Sequence, residues 1–336
     1  MRGRKPRLAV LLGDPAGVGP EMGVRLLAQA RTLDACELLL VAPPSVLASG
    51  ERIAGTTVPV DAAATREALR FAPGRIAQLA LPEPQGGLPA IGQCSEAAGA
   101  IALEALATAT ALARDGFVDG IVFAPLNKHS LRLAGMQEED ELRFMQGLFD
   151  VRGFTCEFNI TDGLWTSRVT SHVPLREVAQ LITPQAVADA VHILHAALRR
   201  AGIERPRIAV SGLNPHAGDG GSIGREEIEV IEPTVARLQR DGLEASGPWS
   251  PDTVFIAARR GDFDAVVSMY HDQGQIAMKL MGFERGVTLH GGLPVPVATS
   301  ASGSAFDIAG RGVARADGLQ HAFDLCLRMA GEQAAR

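Results

Sequence analysis

The chain has 336 residues and a formal net charge of -6; 46% of its residues are apolar and 4% aromatic, with Tyr270 the only tyrosine. That length accommodates one large or two ordinary domains with a sizeable core. The acidic balance excludes nucleic-acid binding through a broad basic face, and the scarcity of aromatic residues excludes a base-stacking platform.

The basic start Met1-Arg2-Gly3-Arg4-Lys5-Pro6-Arg7 leads into an apolar run that breaks at Gly13-Asp14-Pro15, too early for a signal peptide. No uninterrupted apolar run reaches bilayer length, so a soluble, cytoplasmic protein with no membrane contact is expected. Residues 8–12 read as a buried strand, and residues 13–21 as a turn that carries Pro20 into a helix reaching to about residue 30. Residues 38–41 give a second strand, and residues 95–113 an alanine-rich helix closed by Asp115-Gly116. A strand over 120–125 exits at Leu126-Asn127-Lys128. Further on come a helix over 187–201, a strand over 207–212, a helix over 223–242 with an acidic first turn, a strand over 265–269 and a helix over 319–335.

Alternation of this kind predicts a three-layer αβα fold around a largely parallel sheet. Without repeats or long linkers, a second domain must be interwoven with the first, roughly 1–130 plus 300–336 against 131–299. Chemistry then gathers at the carboxyl ends of the strands. The four cysteines, Cys36, Cys94, Cys156 and Cys326, form no CxxC pair and are expected reduced and buried.

Three histidines follow apolar runs in short polar segments: His172 in SHVPL, His216 in NPHAG and His271 in YHDQG. Imidazole is the commonest nitrogen ligand for a divalent ion, and three of them leave positions open for substrate. A lone histidine is more often a satisfied core or surface residue; three in matched contexts favour a metal site. The segment 214–227 adds Gly218, Gly220 and Gly221 at the start of a helix, a place for an anion. A plain flexible loop is the bland alternative, but it does not call for Asn-Pro-His at its entrance. Asp272 arrives beside His271, and Lys279 lies two turns beyond, either to hold a substrate anion or as an ordinary surface lysine. Asp252 reads as a helix N-cap or a site carboxylate, and Lys128 as a strand-exit residue able to reach the site. The turn GDPAGVGPE lacks the GxGxxG order and reads as close packing, with Asp14 a candidate polar contact.

Taken in order, GDPAGVGPE, NKHSLRLAG, SHVPL, GLNPHAGDGGSIGREE, PDT, YHDQG with a following lysine, and SAFDIAGRG resemble the 4-hydroxythreonine-4-phosphate dehydrogenase (PdxA) family over essentially the whole chain. The resemblance implies a homodimer related to isocitrate and isopropylmalate dehydrogenases, with its active site in an interdomain cleft. The second domain would carry most metal and dimer contacts. It implies that His172, His216 and His271 bind a divalent metal with ligands from both subunits, and that Asp252 and Lys279 act at the substrate. Zinc suits three nitrogen ligands best, with cobalt, manganese or magnesium able to substitute. The implied reaction is oxidation of a secondary alcohol by NAD or NADP, followed by decarboxylation. Gly218, Gly220, Gly221, Ser304 and Asp307 are the candidates for the cofactor.

The sequence departs from the family where the substrate phosphate is held. The usual Gly-His-Thr-Glu-Phe is here Asp140-Glu141-Leu142-Arg143-Phe144; Thr288 replaces an asparagine, His290 is an unexpected polar neighbour, and no arginine stands near Val297. A carboxylate repels phosphate and a leucine offers it no hydrogen bond. With Glu141, Leu142, Arg143, Lys128, Thr288, His290 and Asp272 as substrate residues, the expected substrate is an unphosphorylated hydroxy acid, for example a carboxylated cis-dihydrodiol such as that of terephthalate. The alternatives are a genuine 4-hydroxythreonine-4-phosphate dehydrogenase of pyridoxal phosphate synthesis, and a catalytically silent metal-binding dimer.

Overall fold

The computed structural model describes residues 4–282 and 285–334. The residues Met1, Arg2 and Gly3 of the basic start, and Ala335 at the expected end of the last helix, lie outside them. The chain begins with β1 (Arg7–Leu11), α1 (Gly19–Leu27), α2 (Ala30–Ala35), β2 (Glu37–Ala42) and α3 (Pro44–Ala54). Then come β3 (Val60–Ala63), β4 (Ile76–Ala80), α4 (Glu96–Arg114), β5 (Gly120–Phe123), α5 (Lys128–Leu133) and α6 (Glu141–Leu148). The middle of the chain holds β6 (Cys156–Thr161), β7 (Leu164–Arg168), α7 (Leu175–Leu181), α8 (Pro184–Arg200), β8 (Ile208–Ser211), α9 (Glu232–Arg240) and β9 (Ala245–Trp249). It ends with α10 (Val254–Arg259), β10 (Ala265–Ser268), α11 (His271–Gly282), β11 (Val287–Gly291), β12 (Val297–Ser300) and α12 (Asp317–Ala334).

Two compact units result: Met1–Arg152 with Leu293–Arg336, and Gly153–Gly292. The sequence reading placed the borders near 130 and 300, and packing explains the difference. Leu131 and Met136 share a core with Ala102 of α4, while Leu142, Met145, Phe149, Leu293 and Val295 share one with Leu106.

In the first unit the strands run β3-β4-β2-β1-β5-β12, every pair parallel. Strands this apolar and buried suit a parallel sheet covered by helices. Helix α4 starts where Ser95 Oγ accepts from the Ala98 amide at 3.1 Å and stops at Asp115, with Gly116 taking φ 69°. By length and composition alone this 19-residue helix is apolar enough to cross a bilayer, although Glu104 interrupts its apolar run. Its buried face instead sets Leu106, Ala109 and Ala113 against Leu11 and Phe123 of the sheet strands. Burial of Leu106 alone is worth about 2 kcal/mol. Cys36, Cys156 and Cys326 are buried and free as expected, but Cys94 is exposed because it sits in the loop before α4.

The second unit orders its strands β11-β6-β7-β10-β8-β9. The pairs β11–β6 and β6–β7 are antiparallel; β7–β10, β10–β8 and β8–β9 are parallel. The antiparallel part grows from a two-residue hairpin at Asp162 (φ 47°) and Gly163 (φ 86°), an Asp-Gly pair that supplies two positive φ values. The helix expected over 223–242 begins later and in two pieces, a π-helical segment Glu227–Ile231 and then α9. Pro233 has no N–H to bond back to Glu229, and the Glu232 amide bonds to the Glu227 carbonyl five residues back.

Candidate metal and substrate site

Within the second unit, the turn after β7 presents His172 and the start of α11 presents His271. Their ring centroids lie 5.5 Å apart, and both line a cavity of about 250 Å³ with Thr170, Ser171, Tyr270 and Asp272. His271 Nδ1 is 2.7 Å from Asp272 Oδ1. An ionised carboxylate only accepts, so Nδ1 carries the proton and Nε2 keeps its lone pair for a Lewis acid.

His216 lines an adjoining cavity of about 650 Å³ whose wall includes Asp252, Phe255, Gln273 and Ile276, and which shares Tyr270 and Asp272 with the first. Two of the three expected histidines therefore meet at one spot, and the third stands next door. Asp252 is not an N-cap: α10 starts after Thr253, and Asp252 accepts from Ser250 Oγ at 2.6 Å. That hydrogen bond, helped by the neighbouring His216, holds its carboxyl below the usual range. Lys279 is exposed on α11, outside the lining of either cavity.

The backbone at these histidines is unusual. His172 has φ 48°, and His216, Ala217, Gly218, Asp219 and Gly220 form a run of five left-handed residues. Each non-glycine residue there costs about 1–2 kcal/mol, so the surroundings must hold it in place. The glycines therefore do not open a helix toward an anion, as the sequence suggested. Gly218 is buried, and a Cβ on it would come within 2.7 Å of Glu227 Oε2. Gly220 lies exposed on the turn, and Gly221 precedes the segment that leads to the π-helix.

Sequence reasoning missed the residues that hold this loop. Glu227, 1% exposed, accepts from the amides of Leu213 and Asn214, both at 2.7 Å. Gln273 accepts from the Met269 amide at 2.7 Å and donates to the Gly212 carbonyl at 2.9 Å, tying the end of β10 to the end of β8. Glu227 follows a Gly-Arg-Glu run with no motif of its own, and only the placement of Gln273 inside YHDQG could have flagged it.

The remaining candidates of this unit are sheet residues. His290 is 3% exposed and in register with Glu157, and Thr288 accepts from Asn159 Nδ2 at 3.4 Å. Both sit mid-strand in β11, not at a strand end. In the first unit, Leu142 is 2% exposed within the core beneath α6, so it presents nothing to a substrate. Glu141 begins α6, where a carboxylate suits the helix N-terminus, and Arg143 Nη1 donates to Gln146 Oε1 at 2.8 Å. Lys128 opens α5, is exposed, and follows Asn127, whose Nδ2 donates to Ser304 Oγ at 3.3 Å. Ser304 is buried, and Asp307 is exposed three residues on. The turn at 13–19 is indeed close packing: a Cβ on Gly17 would meet the Ser304 carbonyl at 2.8 Å.

A family model described as "Pyridoxal phosphate biosynthetic protein PdxA" matches residues 34–326. Relatives that match nearly the whole chain are 35% to 48% identical to it. Among them are the 4-hydroxythreonine-4-phosphate dehydrogenase of Beijerinckia indica (39% identity, 96% of this chain, 94% of that one) and the D-threonate 4-phosphate dehydrogenase of Pectobacterium atrosepticum (35%, 96% and 99%). The crystal structure of 4-hydroxythreonine-4-phosphate dehydrogenase from Klebsiella pneumoniae superposes with a TM-score of 0.82 at 34% identity, covering 98% of this chain and 99% of that one. A terephthalate 1,2-cis-dihydrodiol dehydrogenase from Burkholderia xenovorans LB400 is more distant, with a TM-score of 0.69 at 26% identity over 97% and 98%.

Proposed function

Given that the chain belongs to the PdxA family of dehydrogenases, we propose that it oxidises a secondary alcohol of a four-carbon hydroxy acid carrying a 4-phosphate, with NAD or NADP as hydride acceptor and a divalent ion in the histidine cavities. The observation that carries this reading is the full-length likeness to relatives named for such phosphorylated substrates, at identities well above that of the terephthalate enzyme. It replaces the unphosphorylated hydroxy acid expected from the sequence. Part of that expectation rested on Leu142, which is a core residue and not a vacated phosphate contact.

The donor set fits a divalent ion: two imidazoles with rings 5.5 Å apart, one of them oriented by a carboxylate, and a third beside an ionised Asp252. When bound, such an ion lowers the pKa of a chelated hydroxyl and stabilises charge on its oxygen. The protein's own groups do the rest. Asp272 fixes the tautomer of His271, and Tyr270 walls both cavities. Asp252, with its depressed pKa, is a weak base and is better suited to holding a cation or a substrate hydroxyl than to removing a proton. The cofactor accepts the hydride, while the protein supplies position and electrostatics. We assign the NAD(P) contacts to the Ser304 and Asp307 segment, the substrate anion to Lys279 on the helix that begins with His271, and a second copy of the chain to completing the ligand set in a cytoplasmic homodimer.

The test is nicotinamide reduction by purified, metal-loaded protein. The panel holds 4-hydroxythreonine 4-phosphate, D-threonate 4-phosphate, both dephosphorylated counterparts and a carboxylated cis-diol. The proposal expects turnover of a 4-phosphate and its loss in His216→Ala. Turnover confined to unphosphorylated acids would restore the earlier expectation, and no turnover of any compound, before or after that change, would point to the silent dimer.

A further inference from the structure

We infer that Arg168 and Asn159 form a positioning bridge that sets the turn of His172 against the first turns of α11, which carry His271. The inference rests on the reading that these two histidines hold a divalent ion. It assigns a role to residues outside the cavities.

Arg168 is the last residue of β7, and its side chain is 5% exposed. Its three nitrogens are all engaged. Nε donates to Ser171 Oγ at 2.6 Å, Nη1 to Asn159 Oδ1 at 3.0 Å and Nη2 to Glu157 Oε2 at 3.0 Å. Asn159 Oδ1 also accepts from Gln275 Nε2 of α11. An unbroken chain of hydrogen bonds therefore runs Ser171–Arg168–Asn159–Gln275. One end is the residue before His172; the other is four residues after His271, on the same face of the helix. Ser171 itself lines the cavity that holds both rings.

The sheet makes this possible. Glu157 and Asn159 alternate with Phe158 along β6, so the two polar residues share a face while Phe158 packs against Trp165 on the other, ring centroids 6.1 Å apart. Asn159 pairs in register with Thr288 and Thr166, which extends the polar row across three strands.

A buried charged network is poor evidence of stability, because removing charges from water offsets most of what their attraction gains. It is good at fixing one geometry, and geometry is what His172 needs. At φ 48° it keeps a conformation that relaxes unless its neighbours hold it. Arg168 holds the adjacent Ser171, and through Asn159 the same guanidinium refers that turn to α11.

Metal-free full-length protein titrated with Co²⁺ tests this, reading the dissociation constant and the visible absorption band of the bound ion. Ser171→Ala and Gln275→Ala each cut one end of the bridge and are expected to weaken binding roughly 10-fold or more and to alter the band, with Ser171→Thr restoring both. Arg168→Met is expected to do the same; should it fail to fold, the two end variants carry the test. A purely structural role would lower the melting temperature of Ser171→Ala and Gln275→Ala while leaving Co²⁺ affinity at the wild-type value, which overturns the bridge. The control is His172→Ala. If it binds Co²⁺ as the wild type does, the metal reading at His172 fails, and the bridge falls with it.

Discussion

Glu227 grips Asn214 twice: its Oε1 accepts the main-chain amide at 2.7 Å and its Oε2 the side-chain amide at 3.0 Å. The same Oε1 accepts the Leu213 amide at 2.7 Å, so one buried carboxylate fixes the entrance to the left-handed turn of His216. Glu227→Ala leaves the Leu213 and Asn214 main-chain amides without an acceptor, while the Asn214 side chain keeps Glu226 Oε2 at 2.7 Å, and is expected to cost about 3 kcal/mol. Chemical denaturation should show the loss as a lower midpoint. Metal-dependent turnover should fall more than in any exposed-surface control, because His216 loses its support. A midpoint equal to wild type would mean that water replaces the carboxylate without penalty.

The left-handed turn itself yields a pair of opposed expectations. At Ala217, φ 51°, a glycine adopts the same backbone without steric cost. Ala217→Gly should therefore raise stability by about 1 kcal/mol. At Gly218 a Cβ would lie 2.7 Å from Glu227 Oε2 and 3.2 Å from the Gly224 carbonyl, so Gly218→Ala should destabilise despite the small side chain. Thermal melts of the two variants give the comparison, and a rise for both or a fall for both would contradict the strain assignment.

Cysteine reactivity follows burial. Cys94 is exposed, whereas Cys36, Cys156 and Cys326 are buried, and burial pushes the Cys36 thiol up to about 12. Titration of native protein with a thiol-reactive disulfide should give one fast equivalent, absent in Cys94→Ser. The rest should appear only on unfolding. Any fast thiol in the Cys94→Ser variant would place another cysteine at the surface.

The strands and helices that surround the site were legible because their patterns are local. The run 38–41 can only be a buried strand, and Ser95 with Asp115-Gly116 brackets α4 in composition before any contact is known. The three histidines were legible for a related reason, since each stands where an apolar run stops. What pairs those segments was not. The β6–β7 hairpin had its Asp162-Gly163 cue, and Glu157 and Asn159 keep the apolar–polar alternation of β6, but β7, with Thr166, Ser167 and Arg168 following Leu164-Trp165, has no alternation to mark it as a strand. The reason for Glu157, Asn159 and Arg168 being polar, the row of hydrogen bonds across β11, β6 and β7, exists only once three distant segments lie side by side. Leu142 failed in the opposite sense. Aligned with a phosphate ligand it looked like a loss, and only its place in the core under α6 shows an ordinary buried leucine.

Asp14 carries a prediction about pH. Its Oδ1 accepts the Ala16 amide at 2.8 Å, and burial raises its pKa above the ordinary 3.8, outweighing the opposing hydrogen bonds of the Ala16 amide and the Ser130 side chain. A carboxyl whose folded pKa is raised binds its proton more tightly in the native state than in the unfolded chain. Its contribution is thus most favourable below about pH 3.8, where both states are protonated, and is lost as pH climbs from there through the folded value. Asp14→Asn removes the charge but keeps an oxygen for the Ala16 amide. The variant should match wild type in denaturant midpoint near the acid end of that window and exceed it at neutral pH, the gap opening steadily between. A gap that stays constant across the series, or one that opens toward acid, would show that the buried carboxylate finds stabilising company at neutral pH, and that the turn at 13–19 depends on its charge.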